Sequence, residues 1–162
     1  MAAGDLVYGT RTVLANVSRL DGDANNYATA FGKIDNSSTL ALDYHIHLKL
    51  AISSSATAGT YDLYLVESQD GSEWTDGIDP ATDTDYADFV KDAKFVKSMQ
   101  TVYDNSPTGA RVYAEIHFNI TDIVPFPPAY FGFVRVNKSG QTTPSSTTLC
   151  DGDSQSIKIA TS

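Results

Sequence analysis

From Leu40 to Ile52 the side chains alternate. Leu40, Leu42, Tyr44, Ile46, Leu48, Leu50 and Ile52 form one row, and Ala41, Asp43, His45, His47, Lys49 and Ala51 form the other. A two-residue period over thirteen positions suits a β-strand with one face in a core, because the same spacing would scatter apolar groups around a helix. Arg111 to Thr121 repeats the pattern, with Val112, Ala114, Ile116, Phe118 and Ile120 on one face. Six shorter strands are predicted at Leu6 to Ala15, Tyr27 to Ile34, Thr60 to Glu67, Phe95 to Tyr103, Ala129 to Asn137 and Ser156 to Ala160, each rich in β-branched or aromatic residues. Turn signals such as Asp21-Gly22, Asp70-Gly71, Pro107-Thr108-Gly109, Ser139-Gly140 and Asp151-Gly152 separate them.

The helical period appears only in Asp83 to Ala93, where Tyr86, Phe89, Val90 and Ala93 share a face. The fold expected is all-β: a two-sheet antiparallel sandwich, jelly-roll-like, with one long acidic insertion containing a short helix. A closed barrel is the alternative architecture. At 162 residues the chain is expected to form one domain, 1–162, with residues 1–10 as an extended interface arm.

Eleven basic against twenty acidic side chains give a net charge of −9, which disfavours nucleic acid and anionic membranes as partners. The single cysteine, Cys150, cannot close an intrachain disulfide. The opening MAAGDLVYGT lacks the cationic start and apolar run of a secretory signal, and no window approaches a membrane span.

Nine of the twenty carboxylates lie between Glu67 and Asp92, opposed only by Lys91. Asp79, Asp83 and Asp85 are calcium candidates, but their run lacks the glycine and terminal glutamate of an EF-hand, and a solvated loop is the favoured reading. His45 and His47 share the polar face of one strand and His117 that of another. If those strands pair, the three imidazoles converge as zinc candidates with Asp43 or Glu115 as a further ligand; cross-strand contact without metal is the favoured alternative. No GxSxG, P-loop, HExxH, GxGxxG or CxxC motif is present, so no enzymatic activity, cofactor or small-molecule substrate is expected. Trp74 offers a stacking surface for a sugar, or an anchor for the long loop. Sequons begin at Asn16, Asn36, Asn119 and Asn137.

Two longer runs carry a resemblance. Ala58 to Gly77 reads AGTYDLYLVESQDGSEWTDG, and Pro125 to Gln141 reads PFPPAYFGFVRVNKSGQ. Their order and spacing resemble a strand-turn signature of small virion proteins of tailed bacteriophages, over roughly residues 40 to 160. The resemblance implies a jelly-roll capsid decoration or cement protein on the outside of the phage head. Its implied partners are the major capsid protein and further copies of itself, and its implied location is the virion. Capsid contacts are expected at Met1 to Thr10 and at the aromatic residues Tyr8, Trp74 and Phe126. The other readings are a tail- or fibre-associated virion protein, a carbohydrate-binding sandwich and, third, a sandwich glycosidase.

Overall fold

The computed structural model describes residues 5–52, 59–82, 90–100, 112–145 and 150–160. These form two antiparallel sheets. The strands are β1 (Leu6–Tyr8), β2 (Thr12–Val13), β3 (Ala28–Asp35), β4 (Asp43–Ile52), β5 (Thr60–Ser68), β6 (Lys94–Gln100), β7 (Val112–Asn119), β8 (Tyr130–Lys138) and β9 (Asp151–Ile159). Sheet A has the order β1-β9-β4-β7, with β2 also paired to β9, and sheet B has the order β3-β8-β5-β6. Two open sheets replace the closed-barrel alternative. Among the described residues the only helical elements are 3-10 turns, at Val17–Leu20, Thr75–Gly77 and Ile120–Asp122.

The predicted strands are present, several with shifted ends, while residues 101–103 and 111 of two of them lie outside the described residues. The first is split into β1 and β2, and the last begins five residues earlier than predicted, at Asp151. The long alternating strand starts at Asp43 because Leu40 has a left-handed φ of 46° and is exposed. There the Asn36 carboxamide accepts from the Ala41 N–H and the Tyr44 hydroxyl, turning the chain into β4. Of the expected helix, residues 83–89 lie outside the described residues, and 90–93 are not helical.

β4 hydrogen-bonds to β7 on one side and β9 on the other. Its inward row of Ile46, Leu48 and Leu50 is fully buried against Tyr61, Leu63 and Leu65 of β5 and Phe131 and Phe133 of β8. Edge-to-face aromatic pairs bridge the sheets, Tyr44 with Phe131 at 5.2 Å and Phe118 with Phe133 at 5.8 Å.

Sheet B is covered on both faces. On its outer side Ala28, Ala30, Val66, Val134 and Val136 form a second cluster with Trp74 and Ile78 from the β5–β6 connection. The connection lies so close to β8 that a Cβ on Gly132 would sit 2.3 Å from Pro80 Cγ. This contact leaves room only for glycine at that position.

Arg135 is wholly buried. Its guanidinium lies over the Tyr61 ring, 4.8 Å from its centre, donates to the Leu20 carbonyl at 2.9 Å and pairs with the buried Asp23 carboxylate. Two residues further along β8, buried Asn137 donates to the carbonyls of Asp23, Ala24 and Gln141 and accepts from Ser139. Together they tie the segment before β3 to β8. Removing one member of a buried pair strands the other charge, so Asp23→Ala should cost about 3–5 kcal/mol in chemical denaturation.

Asp62 of β5 accepts from Lys138 Nζ at 2.7 Å and Ser98 Oγ at 2.6 Å. Burial acts to raise its pKa, but the hydrogen bonds from Lys138, Ser98 and Thr60 outweigh it and hold the carboxyl below the ordinary 3.8. A folded-state pKa below the unfolded one makes this contribution full above pH 3.8 and lost as acid titrates the folded group. With Lys138 half exposed, Asp62→Asn should cost about 1 kcal/mol near neutrality. Melting curves of parent and variant should converge as the pH falls below that value.

Candidate functional site

The alternation of β4, β7 and β9 sends a polar set to the outer face of sheet A. The register places His47 directly opposite His117 on β7 and opposite Asp153 on β9, while His45 faces Asn119 and Gln155. The strands whose pairing the sequence left open are therefore neighbours. The His47 and His117 rings stack 4.4 Å apart at 14°, and His45 stacks on the other side of His117 at 5.7 Å.

Carboxylates face both nitrogens of the His47 ring. Glu115 Oε1 lies 2.8 Å from Nε2, and Asp153 Oδ2 lies 3.4 Å from Nδ1. Asp153 also accepts from Arg11 at 3.2 Å. Glu115 Oε1 stands 4.0 Å from His117 Nε2. The hydrogen bond from His47, opposed by slight desolvation and aided by the fields of His47, His117 and Lys49, holds Glu115 below the usual carboxylate range. Among the described residues, His47, Glu115 and His117 each present a donor atom, and these atoms lie within 4.8 Å of one another. His45 lies outside that set, with its Nδ1 3.0 Å from Asn119 Oδ1.

At one end of the same face, Tyr8 pairs with Ile157 across β1 and β9, and Leu6 pairs with Ile159. Tyr8 is 61% exposed, Leu6 58% and Ile159 50%, so the edge of sheet A presents apolar groups to solvent. Tyr8, Arg11, His45, Asn119, Gln155 and Ile157 line a shallow groove of about 360 Å³. Phe126, 78% exposed, lies in the 123–129 loop above a second shallow groove that includes Glu67 and Lys94.

Trp74 does not join them. It is 8% exposed, its Nε1 donates to the Gly71 carbonyl at 3.2 Å, and the Lys33 ammonium lies 4.9 Å from its ring centre. Its indole is consumed in covering sheet B, so the expectation of an exposed interface anchor is corrected to a loop anchor.

The acidic connection holds itself together through its carboxylates. Asp70 accepts from the Glu73 and Ser72 N–H groups, which lower its pKa strongly. Asp76, in a left-handed conformation at φ 57°, accepts from the N–H groups of Lys91, Asp92 and Ala93 at 3.0–3.1 Å. Asp79 pairs with Lys33 Nζ at 3.2 Å and accepts from Ala81 N–H at 2.8 Å. The calcium candidate Asp79 thus already has a cation beside it, while Asp83 and Asp85 lie outside the described residues.

Cys150 is buried, and desolvation pushes its thiol up to about 12, which makes it a poor nucleophile. Among the described residues no helix is long and apolar enough to cross a membrane. No protein-family profile, curated protein or solved structure matches the chain. Its own surfaces carry the functional reading.

Sequence reasoning missed Asp153 and Arg11 as partners of the histidine row, and Asp76 as the clamp of the connection. Asp153 lies in the part of β9 that precedes the predicted strand, so no periodicity marks it as a neighbour of His47. Replacing Asp76 by Ala should release residues 91–93, and amide exchange there should accelerate by about tenfold or more, with β4 protection unchanged.

Proposed function

We propose that this protein is a structural component of a tailed-phage virion, a decoration or cement protein that binds the outer surface of the head and bridges major capsid subunits. The observation that carries the reading is the row of exposed apolar side chains along the edge of sheet A, Leu6, Tyr8 and Ile159, beside β1, which is an edge strand among the described residues. An edge strand with apolar neighbours suits adhesion to another protein surface, including a further copy of the chain. The resemblance of the Ala58–Gly77 and Pro125–Gln141 runs to phage virion proteins supplies the identity of that surface.

The strand order supports a jelly roll. With β1 and β2 counted as one interrupted strand, the sheets read 1-8-3-6 and 2-7-4-5 in chain order, the arrangement that nested Greek keys produce. Adhesion to an expanded capsid lattice would stabilise the mature shell by linkage, because the protein binds that state and not its precursor. The carbohydrate-binding reading loses support from Trp74, whose ring is covered.

The test is binding to purified heads of the phage whose genome encodes the chain. Tyr8→Ala and Phe126→Ala remove exposed groups and should leave the melting temperature within a few degrees while lowering head occupancy at least about tenfold in combination. Unchanged occupancy for the double variant would remove these residues from the interface. Saturable binding to a glycan array without head binding would replace the proposal with the carbohydrate reading.

A further inference from the structure

We infer that His47, Glu115 and His117 form a site for a divalent transition-metal ion of the zinc class on the outer face of sheet A. β4 and β7 pair in a continuous register from His45↔Asn119 to Ile52↔Val112, which sets His47 and His117 on directly opposed positions with Glu115 two residues away on the same face. The donors are thereby held by two hydrogen-bonded strands rather than by loops, so little ordering remains to be done when an ion arrives.

The spacing fits the ion. Donors bonded at about 2.0–2.1 Å in a tetrahedral site stand about 3.3 Å from one another. Here His47 Nε2 and Glu115 Oε1 are 2.8 Å apart and His117 Nε2 and Glu115 Oε1 are 4.0 Å apart, bracketing that separation. All three donor atoms fall within 4.8 Å of one another, and the stacked His47 and His117 rings must tilt apart for both in-plane lone pairs to meet one ion. Two imidazoles and one carboxylate suit zinc, copper or nickel, whereas calcium and magnesium call for an all-oxygen set.

The second observation is the outer shell. Metal-bound histidines characteristically direct their other ring nitrogen to a carboxylate, which fixes the tautomer and orientation of the ring. His47 meets that pattern: Asp153 Oδ2 lies 3.4 Å from Nδ1 and is itself held by Arg11 at 3.2 Å, so the ion would take Nε2 by displacing its hydrogen bond to Glu115. His47 is largely buried, with 17% of its side chain exposed, whereas those of His117 and Glu115 are 53% and 57% exposed. The ion can therefore enter from solvent, and its remaining coordination position is open to water or to a donor from a neighbouring molecule. His45 stacks on the outer imidazole and lies outside the set of converging donors.

The test is a calorimetric titration of the chelator-treated full chain with zinc chloride near neutral pH, with calcium chloride as the competing ion. One zinc per chain should bind, undisturbed by calcium. His117→Asn and Glu115→Gln should each weaken binding at least tenfold, Asp153→Asn by about tenfold, and His45→Asn by no more than about twofold. Ring 15N shifts of the parent should move for His47 and His117 on zinc addition and stay in place for His45, a readout that survives even if a variant fails to fold. Absence of saturable zinc uptake, binding that persists in both His117→Asn and Glu115→Gln, displacement by calcium, or ring shifts that single out His45 would each overturn the site.

Discussion

The pairing of β4 with strands on both its sides fixes what sheet A buries and what it shows. A slip of one residue would turn Ile46, Leu48 and Leu50 to water and drive His45, His47 and Lys49 into the core. Burial of those three aliphatic side chains is worth on the order of several kcal/mol, and desolvating the polar row would add a comparable penalty. The register is thus held by opposing forces on the two faces. The same register sets the histidines and their carboxylates beside one another. Core packing and the chemistry of the outer face are consequences of a single alignment.

Sheet B meets a different requirement. Both its faces carry apolar side chains, so the sandwich alone would leave Ala28, Ala30, Val66, Val134 and Val136 in contact with water. The β5–β6 connection covers them with Trp74 and Ile78, and its carboxylates act as internal fasteners. Asp70 closes a turn, Asp76 captures the returning backbone, and Asp79 holds Lys33 against the sheet. A charge run that reads as a solvated loop is, at these three positions, a set of hydrogen-bond acceptors for backbone and ammonium donors. Its acidity and its packing serve the same purpose.

The outer face and edge of sheet A carry two kinds of exposed group. One end is apolar around Leu6, Tyr8 and Ile159, and the middle carries the histidine row. The apolar end suits adhesion because burying such groups releases water without demanding directional partners. The histidine row is directional and chemically selective. The two occupy one continuous face, linked through the groove that joins Tyr8, Arg11 and His45.

The sequence by itself determined the strands with strong alternation and the inward row of β4, because a period of two has one structural meaning when it runs that long. It also put each of the three histidines on the polar row of its own strand, without saying that the two strands pair. Strand ends were less legible: Leu40 continues the alternation but sits in a left-handed turn set by the Asn36 side chain, a contact between residues the pattern does not distinguish. Only the tertiary structure decided that β4 lies between β7 and β9. Strand adjacency depends on which apolar faces close together across long loops, and that is a property of the whole chain. That choice brought Asp153 to His47 from over a hundred residues away, and the packing around sheet B likewise gave Trp74 to the loop and buried Arg135 on Tyr61 beside Asp23. Local periodicity encodes which way a side chain points, while its neighbours are chosen only when the two sheets pack.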